Sequence, residues 1–382
     1  MKINAKFSNI STSFITSIKP LIKAHKAINL AAGHTGFHCS PHLIKLVEKH
    51  LREGVNRHAD PSGELRLRQG IANKIQDLYD RRYHPESELT ITAGATQGIF
   101  TAIAALVREG DEVIIFEPAN EYYISAIEMN GAQVISVPMG GDNYYIDWEL
   151  MQQMISSKTR MIIINTPHTP TGWVMDEIDL LRLQKIISGT DIIVVSEETF
   201  EHIVFDGHMH QSIALFPKLA ERSLIISSLG ETYHVTGWQL GYCAAPAIIM
   251  KEFRKVHEAI MQSVNSPFQM AMADFIGTKE EYQKLAAFYQ DKRDRFIRMM
   301  QGTGLKPLPC SGTYFQLFDY GNVSDEKDRD FVIRLIKEHG VATLPISAFM
   351  KERQQRTHIR INFARPDDML AEAARRLSSL KE

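Results

Sequence analysis

The sequence predicts an α/β protein, with a mostly parallel sheet sandwiched by helices in a large domain and a smaller α+β domain after it. From about residue 88, short β-branched runs alternate with longer stretches of helical periodicity, the pattern of a parallel sheet covered on both faces. After about residue 265 the pattern changes to long polar helices followed by separate β-like runs. No internal repeat or Pro-rich linker divides the 382 residues, so the two parts are expected to pack together.

The expected strands of the large sheet are ELTITAG, DEVIIFEP, AQVISVPM, RMIIINTP, DIIVVSEE, SLIISSLG and LGYCAAP. Between the first two lies TQGIFTAIAALVREG, with apolar residues at helical spacing and Thr96 as its expected N-cap. The later part holds the helical stretch EEYQKLAAFYQDKRDRFIRMMQ and the β-like runs SGTYFQLFDY and THIRINFA. The expected organisation is an N-terminal segment 1–44 packing with the small domain, a large domain 45–265 and a small domain 266–382. The charge runs KLVEKHLREG and QDKRDRF read as solvated helix faces, because both signs alternate there.

With 43 Lys plus Arg against 45 Asp plus Glu and a formal net charge of −2, the composition gives no electrostatic case for nucleic acid or a membrane surface. Small-molecule chemistry is the expectation. Cys39, Cys243 and Cys310 show neither metal-type nor redox-type spacing and read as reduced and packed. No signal-peptide pattern opens the chain and no run nears the ~18 apolar residues of a spanning helix, which places the protein in the cytoplasm as an expectation. The chain contains no P-loop, GxGxxG turn, GxSxG elbow or CxxC pair.

Ligands of open α/β sheets bind beyond the carboxyl ends of the strands, which points to Gly94–Thr96, Pro118–Asn120, Pro167–Gly172, Glu197–Phe200 and Ser227–Thr232. Together with INLAAG, ADPSG, Leu67 and Arg68, TAGATQG, NTPHTPTG, SEETFEHIVFDG, SSLGETYHVTGWQLGY, SGTYF and HIRINFA, these segments resemble class I aminotransferases. That fold-type I family uses pyridoxal phosphate (PLP), and the likeness is to its methionine and kynurenine aminotransferase branch, over nearly the whole chain. The resemblance implies the aminotransferase fold, a homodimer and a small amino-acid-like carboxylate as ligand. It also implies that Arg360 and Gly33 bind the substrate carboxylate, and that Gly94, Ala95, Thr96 and Ser228 belong to the cofactor site.

Other positions depart from the family. The lysine that bonds to the cofactor is replaced by Glu231, and a carboxylate cannot form that bond. Glu197 stands for the aspartate that pairs with the ring nitrogen, Phe200 for a tyrosine donor, Thr169 for an asparagine and Asn120 for the stacking aromatic residue. Gln239 stands for the basic partner of the phosphate, and His58 for the tyrosine that reaches over from the partner subunit.

A lysine replaced by glutamate removes two units of positive charge, and Gln239 removes one more. Each missing charge-assisted hydrogen bond is worth about 1.5–3 kcal/mol. On this side-chain count PLP is expected to bind poorly and transamination to be lost, leaving a repurposed site on a small carboxylate. His34, His58, Glu197 and Glu231 form a candidate site for iron, manganese or zinc, since carboxylates and imidazoles suit such ions. Two alternatives stay open: a non-catalytic ligand-binding or regulatory subunit, and an atypical PLP-dependent aminotransferase. Plainer readings stand beside these. His34 would cap a turn, His38 would be a loop residue, and His58 would bond across the interface. Glu231 would be a protonated carboxyl in an emptied pocket, and Glu197 a lengthened aspartate bonded to local backbone. His168, His202 and His234 read as framework, His208 and His210 as solvated loop residues.

Overall fold

Branched side chains pack well on a pleated surface, so the β-branched runs fold as strands. The computed structural model describes residues 6–7, 12–351 and 356–381, which leaves part of the expected 1–44 segment outside the described residues. In chain order its strands are β1 (Ile28–Asn29), β2 (Leu89–Thr92), β3 (Glu112–Glu117), β4 (Gln133–Pro138), β5 (Thr159–Asn165), β6 (Ile193–Glu197) and β7 (Ser223–Ser228). There follow β8 (Gly241–Ala244), β9 (Lys306–Pro307), β10 (Phe315–Asp319), β11 (Val341–Ala342), β12 (Leu344–Pro345) and β13 (His358–Asn362).

Strands β2 to β8, the seven runs read from the sequence, form one sheet in the order β2-β8-β7-β6-β5-β3-β4. The β4-β3-β5-β6-β7 pairings are all parallel, whereas β8 runs antiparallel to both neighbours. The connection from β7 to β8, residues 229–240, contains no α-helix, and a parallel crossover is usually made by one. Both faces are buried. Ile162 and Ile164 join Val194 and Ile225 in one apolar cluster, while Ile163 joins Val195, Leu224 and Ile226 in another. That two-sided burial is why the strands read as continuous apolar runs.

The helix after β2 spans Gly94–Leu106 and begins earlier than expected. Gly94 has φ +75°, which lets the chain turn into the helix at once, so Thr96 lies inside the first turn and not at the N-cap. Gln97 Oε1 accepts the Ala93 N–H at 3.0 Å in place of a cap hydroxyl.

A second sheet has the order β12-β13-β10-β9, with every pair antiparallel. Strands β1 and β11 pair in parallel, Ile28 opposite Val341, tying the N-terminal segment to the C-terminal part of the chain. The two charge runs are not wholly solvated. Lys292 and Arg293 are buried and pair with Asp367 and Asp206, and buried His50 bonds to Asp274 at 2.8 Å. Distant acids recruit these residues to the inner face of their helices. His210 likewise leaves the solvent, its Nε2 lying 3.0 Å from Glu198. Among the described residues no helix is long and apolar enough to cross a membrane.

Candidate active site

The carboxyl ends of the central strands open into a cavity of about 670 Å³. One wall comes from the large sheet: the Gly94 turn after β2, Asn120 and Tyr122 after β3, Thr169 after β5, Glu197, Thr199 and Phe200 at the end of β6 and Ser228 at the end of β7. The segment holding Glu231 and Gln239 adds to it, and Gly33, His34, Phe315 and Arg360 close the opposite side. Such a crevice is where open α/β sheets bind ligands.

One end is built from backbone donors. Gly94, Ala95 and Thr96 line the cavity at a helix N-terminus without a side-chain cap, where N–H groups and the helix dipole favour an anion. Two close approaches hold the turn. A Cβ on Gly241 would meet Ser227 O at 2.7 Å and Gly94 C at 2.9 Å, so only glycine lets β8 lie this near. The Gln239 amide lies over Gly94 and donates through Nε2 to Thr236 O at 2.8 Å.

At the β6 end, Glu197 is 5% exposed and surrounded by donors. Tyr122 lies 2.9 Å from both its oxygens, Tyr123 donates to Oε2, Thr199 donates at 3.2 Å, and the Asn120 amide lies 3.5 Å away. Burial raises the carboxyl's pKa and these donors oppose the rise. Phe200 is buried edge-on against Tyr314, ring centroids 4.9 Å apart.

Opposite lies Arg360, 4% exposed, its guanidinium 3.9 Å from the Phe315 ring centroid and 4.9 Å from that of Phe349. Its Nη2 donates to Ala31 O at 3.0 Å, and burial draws its pKa down to about 9, still protonated at neutral pH. The loop carrying Gly33 and His34 is pinned from the same strand region, Asn362 Nδ2 donating to Ala32 O at 2.7 Å and to His34 O at 2.9 Å. His34 is exposed, and burial together with Arg365 lowers its pKa, leaving the imidazole neutral at neutral pH.

Three polar atoms along this cavity are buried without a hydrogen-bond partner: Glu231 Oε2, Thr169 Oγ1 and Arg360 Nε. Buried polar groups are ordinarily paired, so the three fit a polar occupant that supplies the partners. PLP, with an anionic phosphate, a polar ring and an amino acid beside it, offers partners to these donors and acceptors. Burial also raises the pKa of Glu231, with Glu197 adding repulsion and hydrogen bonds from Ser228 and its own backbone opposing.

Of the residues assigned to carboxylate, cofactor or metal binding, all line this cavity except His58, which is exposed and outside the lining of its own chain. The expected metal cluster does not form: among the described residues no group of three or more His, Cys, Asp or Glu side chains could hold an ion. Glu197 is taken up by its hydroxyl and amide donors, which a ligating carboxylate would have to give up. Tyr122 and Tyr123 were not expected at the site. Reading the strand-end rule three residues past Asn120 would have reached them.

The model of the family "Aminotransferase class I and II" matches residues 25–377. A methionine aminotransferase of Escherichia coli is 40% identical over 377 residues, 98% of each chain. A kynurenine–oxoglutarate transaminase of Dictyostelium discoideum is 29% identical over 424 residues, all of this chain and 97% of that one. A crystal structure of an Escherichia coli protein with a methionine aminotransferase function superposes with a TM-score of 0.96 at 39% identity, covering 99% of this chain and 100% of that one.

These likenesses overturn the expectation that transamination is lost, that PLP binds poorly and that metal-dependent or non-catalytic roles replace them. The whole-length match is to aminotransferases, the family that the motifs resemble as PLP users. The charge count misled for a physical reason. It weighed side chains alone, leaving out the backbone donors of Gly94–Thr96 and the proton that burial favours on Glu231.

Proposed function

The chain belongs to the class I and II aminotransferase family, and from that premise we propose that it is a PLP-dependent aminotransferase of an atypical kind, holding its cofactor without a covalent bond to residue 231. The observation that carries the reading is the cavity itself, which sets an anion-binding helix N-terminus at Gly94–Thr96 opposite a buried guanidinium at Arg360.

When bound, the cofactor supplies an electron sink that lets the Cα proton of an amino acid leave. In this reading the N–H groups of Gly94, Ala95 and Thr96 hold the phosphate, with the Ser228 hydroxyl and Gln239 amide beside them. Asn120, Thr169, Glu197 and Phe200 flank the ring. Arg360 and the backbone at Gly33 fix the substrate carboxylate. Glu231 carries the proton at its free Oε2, because a carboxyl held above its ordinary range exchanges protons nearer neutral pH. The ring contacts of Arg360 fix its orientation, and the surrounding apolar side chains exclude water from the carboxylate end.

Methionine is the first substrate to test, since the 40% identical relative is a methionine aminotransferase. We also propose a homodimer in which His58 borders the partner's cavity, and a division of the chain at about residues 44 and 265. The two principal sheets, built from 89–244 and from 306–362, support that division. The test is conversion of L-methionine with a 2-oxo acid acceptor, with and without added PLP. Turnover that depends on PLP supports the reading, and none over a panel of amino acids contradicts it.

A further inference from the structure

Two ionisable groups of opposite sign line the cavity, and each keeps one buried atom unpaired. Arg360 uses Nη2 on Ala31 O and leaves Nε without a partner, while Glu231 leaves Oε2 without one. Neither satisfies the other. Both nevertheless line one cavity, and both act electrostatically on the phenol of Tyr314, which donates to Gly33 O at 2.8 Å.

The ligand that satisfies both atoms carries a carboxylate and a cation on one small frame. A 2-oxo acid meets Arg360 and leaves Glu231 unpaired, whereas a simple amine does the reverse. We propose that Glu231 and Arg360 together form a receptor for a zwitterionic α-amino acid, Glu231 accepting the α-ammonium and Arg360 donating to the α-carboxylate. The inference rests on the reading that amino acids enter this cavity. It goes beyond that reading in giving Glu231 a binding role of its own: a cation at this position repels an incoming ammonium, whereas a carboxyl, which an adjacent cation shifts to its ionised form, attracts it. Glu197, close enough to raise the pKa of Glu231, contributes potential of the same sign.

The experiment is calorimetric titration of the full chain with three probes: L-methionine, its 2-oxo acid and 3-(methylthio)propylamine. One charge-assisted hydrogen bond amounts to about ten-fold or more in affinity. L-Methionine is expected to bind at least about ten-fold tighter than either other probe. Glu231→Gln should abolish that preference over the oxo acid while oxo-acid binding stays equal or tightens, which also shows that the cavity remains folded. Should the glutamine variant bind neither acid, Glu231→Asp decides: a retained preference supports the pairing and a lost one overturns it. Equal binding of amino and oxo acid by the parent chain overturns it outright. PLP-dependent turnover reads separately. Its absence contradicts the proposed function and leaves a measured preference standing, whereas turnover without the preference contradicts only this pairing.

Discussion

Tyr122 places its hydroxyl 2.9 Å from both carboxylate oxygens of Glu197. Its neighbour Tyr123 donates to the same carboxylate, so two adjacent residues converge on one buried acid. Adjacent positions on a helix ordinarily face apart. Here both sit in the first turn after Asn120, their rings edge-to-face with centroids 4.9 Å apart.

Removing one of these donors tests the network. Tyr122→Phe takes away a hydrogen bond to a charged group, a loss of about 1.5–3 kcal/mol. The bond supports the ionised carboxylate, whose pKa burial already raises. The loss should therefore be large at about pH 8 and shrink toward pH ~4.5, where the carboxyl takes up its proton. Thermal unfolding at both pH values measures it, and equal losses would refute the assignment.

Glu231 gives a complementary pH test. Its folded-state pKa lies above the ordinary 4.5, so the folded chain binds the proton more tightly than the unfolded one. The ligand-free protein should then be most stable below that ordinary value and lose stability as pH rises through the raised one. Glu231→Gln has no such titration. It should exceed the parent by about 1–3 kcal/mol at about pH 8, the scale of an unsatisfied buried polar group, and match it near pH ~4.5. A gain that is independent of pH would show that burial is not the cause.

Two glycines separate folding from binding. A Cβ on Gly33 meets no protein atom within 4 Å, so Gly33→Ala should leave the melting temperature nearly unchanged and weaken amino-acid binding. A Cβ on Gly241 meets backbone at 2.7 and 2.9 Å, so Gly241→Ala should cost about 1–3 kcal/mol and disturb the Gly94 turn. Melting and PLP titration of the two variants would show the split, and a destabilised Gly33→Ala would contradict it.

Away from the cavity, Lys74 and Glu201 form a buried pair at 2.5 Å, and the lysine holds the carboxyl far below its usual range. Lys74→Met strands the charge and should destabilise the fold by about 3–5 kcal/mol. Amino-acid affinity of the still-folded fraction should not change. Chemical denaturation with a parallel titration checks both.

What the residues disclose on their own follows from how local each signal is. Ile162, Ile163 and Ile164 announced β5 because both of its faces are buried, and HIRINFA placed Arg360 on a strand bordering the cavity. The reversal of β8 goes with a connection that holds no α-helix, and Thr96 lost its expected capping place to the backbone freedom of Gly94. Lys292 and His210 looked solvated because their partners, Asp367 and Glu198, are distant in the chain or obscured by a loop. The anion-binding capacity of the Gly94 turn was legible as a loop entering a helix N-terminus, but a count of side-chain charges leaves it out, since backbone N–H groups carry it.

The proposed function has PLP held without a covalent bond at position 231. Intact-mass measurement after incubation with PLP and reduction with borohydride tests it most directly, with Glu231→Lys as the comparison. The parent chain is expected to show PLP-dependent turnover and no stoichiometric mass gain, whereas Glu231→Lys gains the mass of one reduced cofactor. Stoichiometric fixation of the cofactor on a lysine of the parent chain would contradict the account.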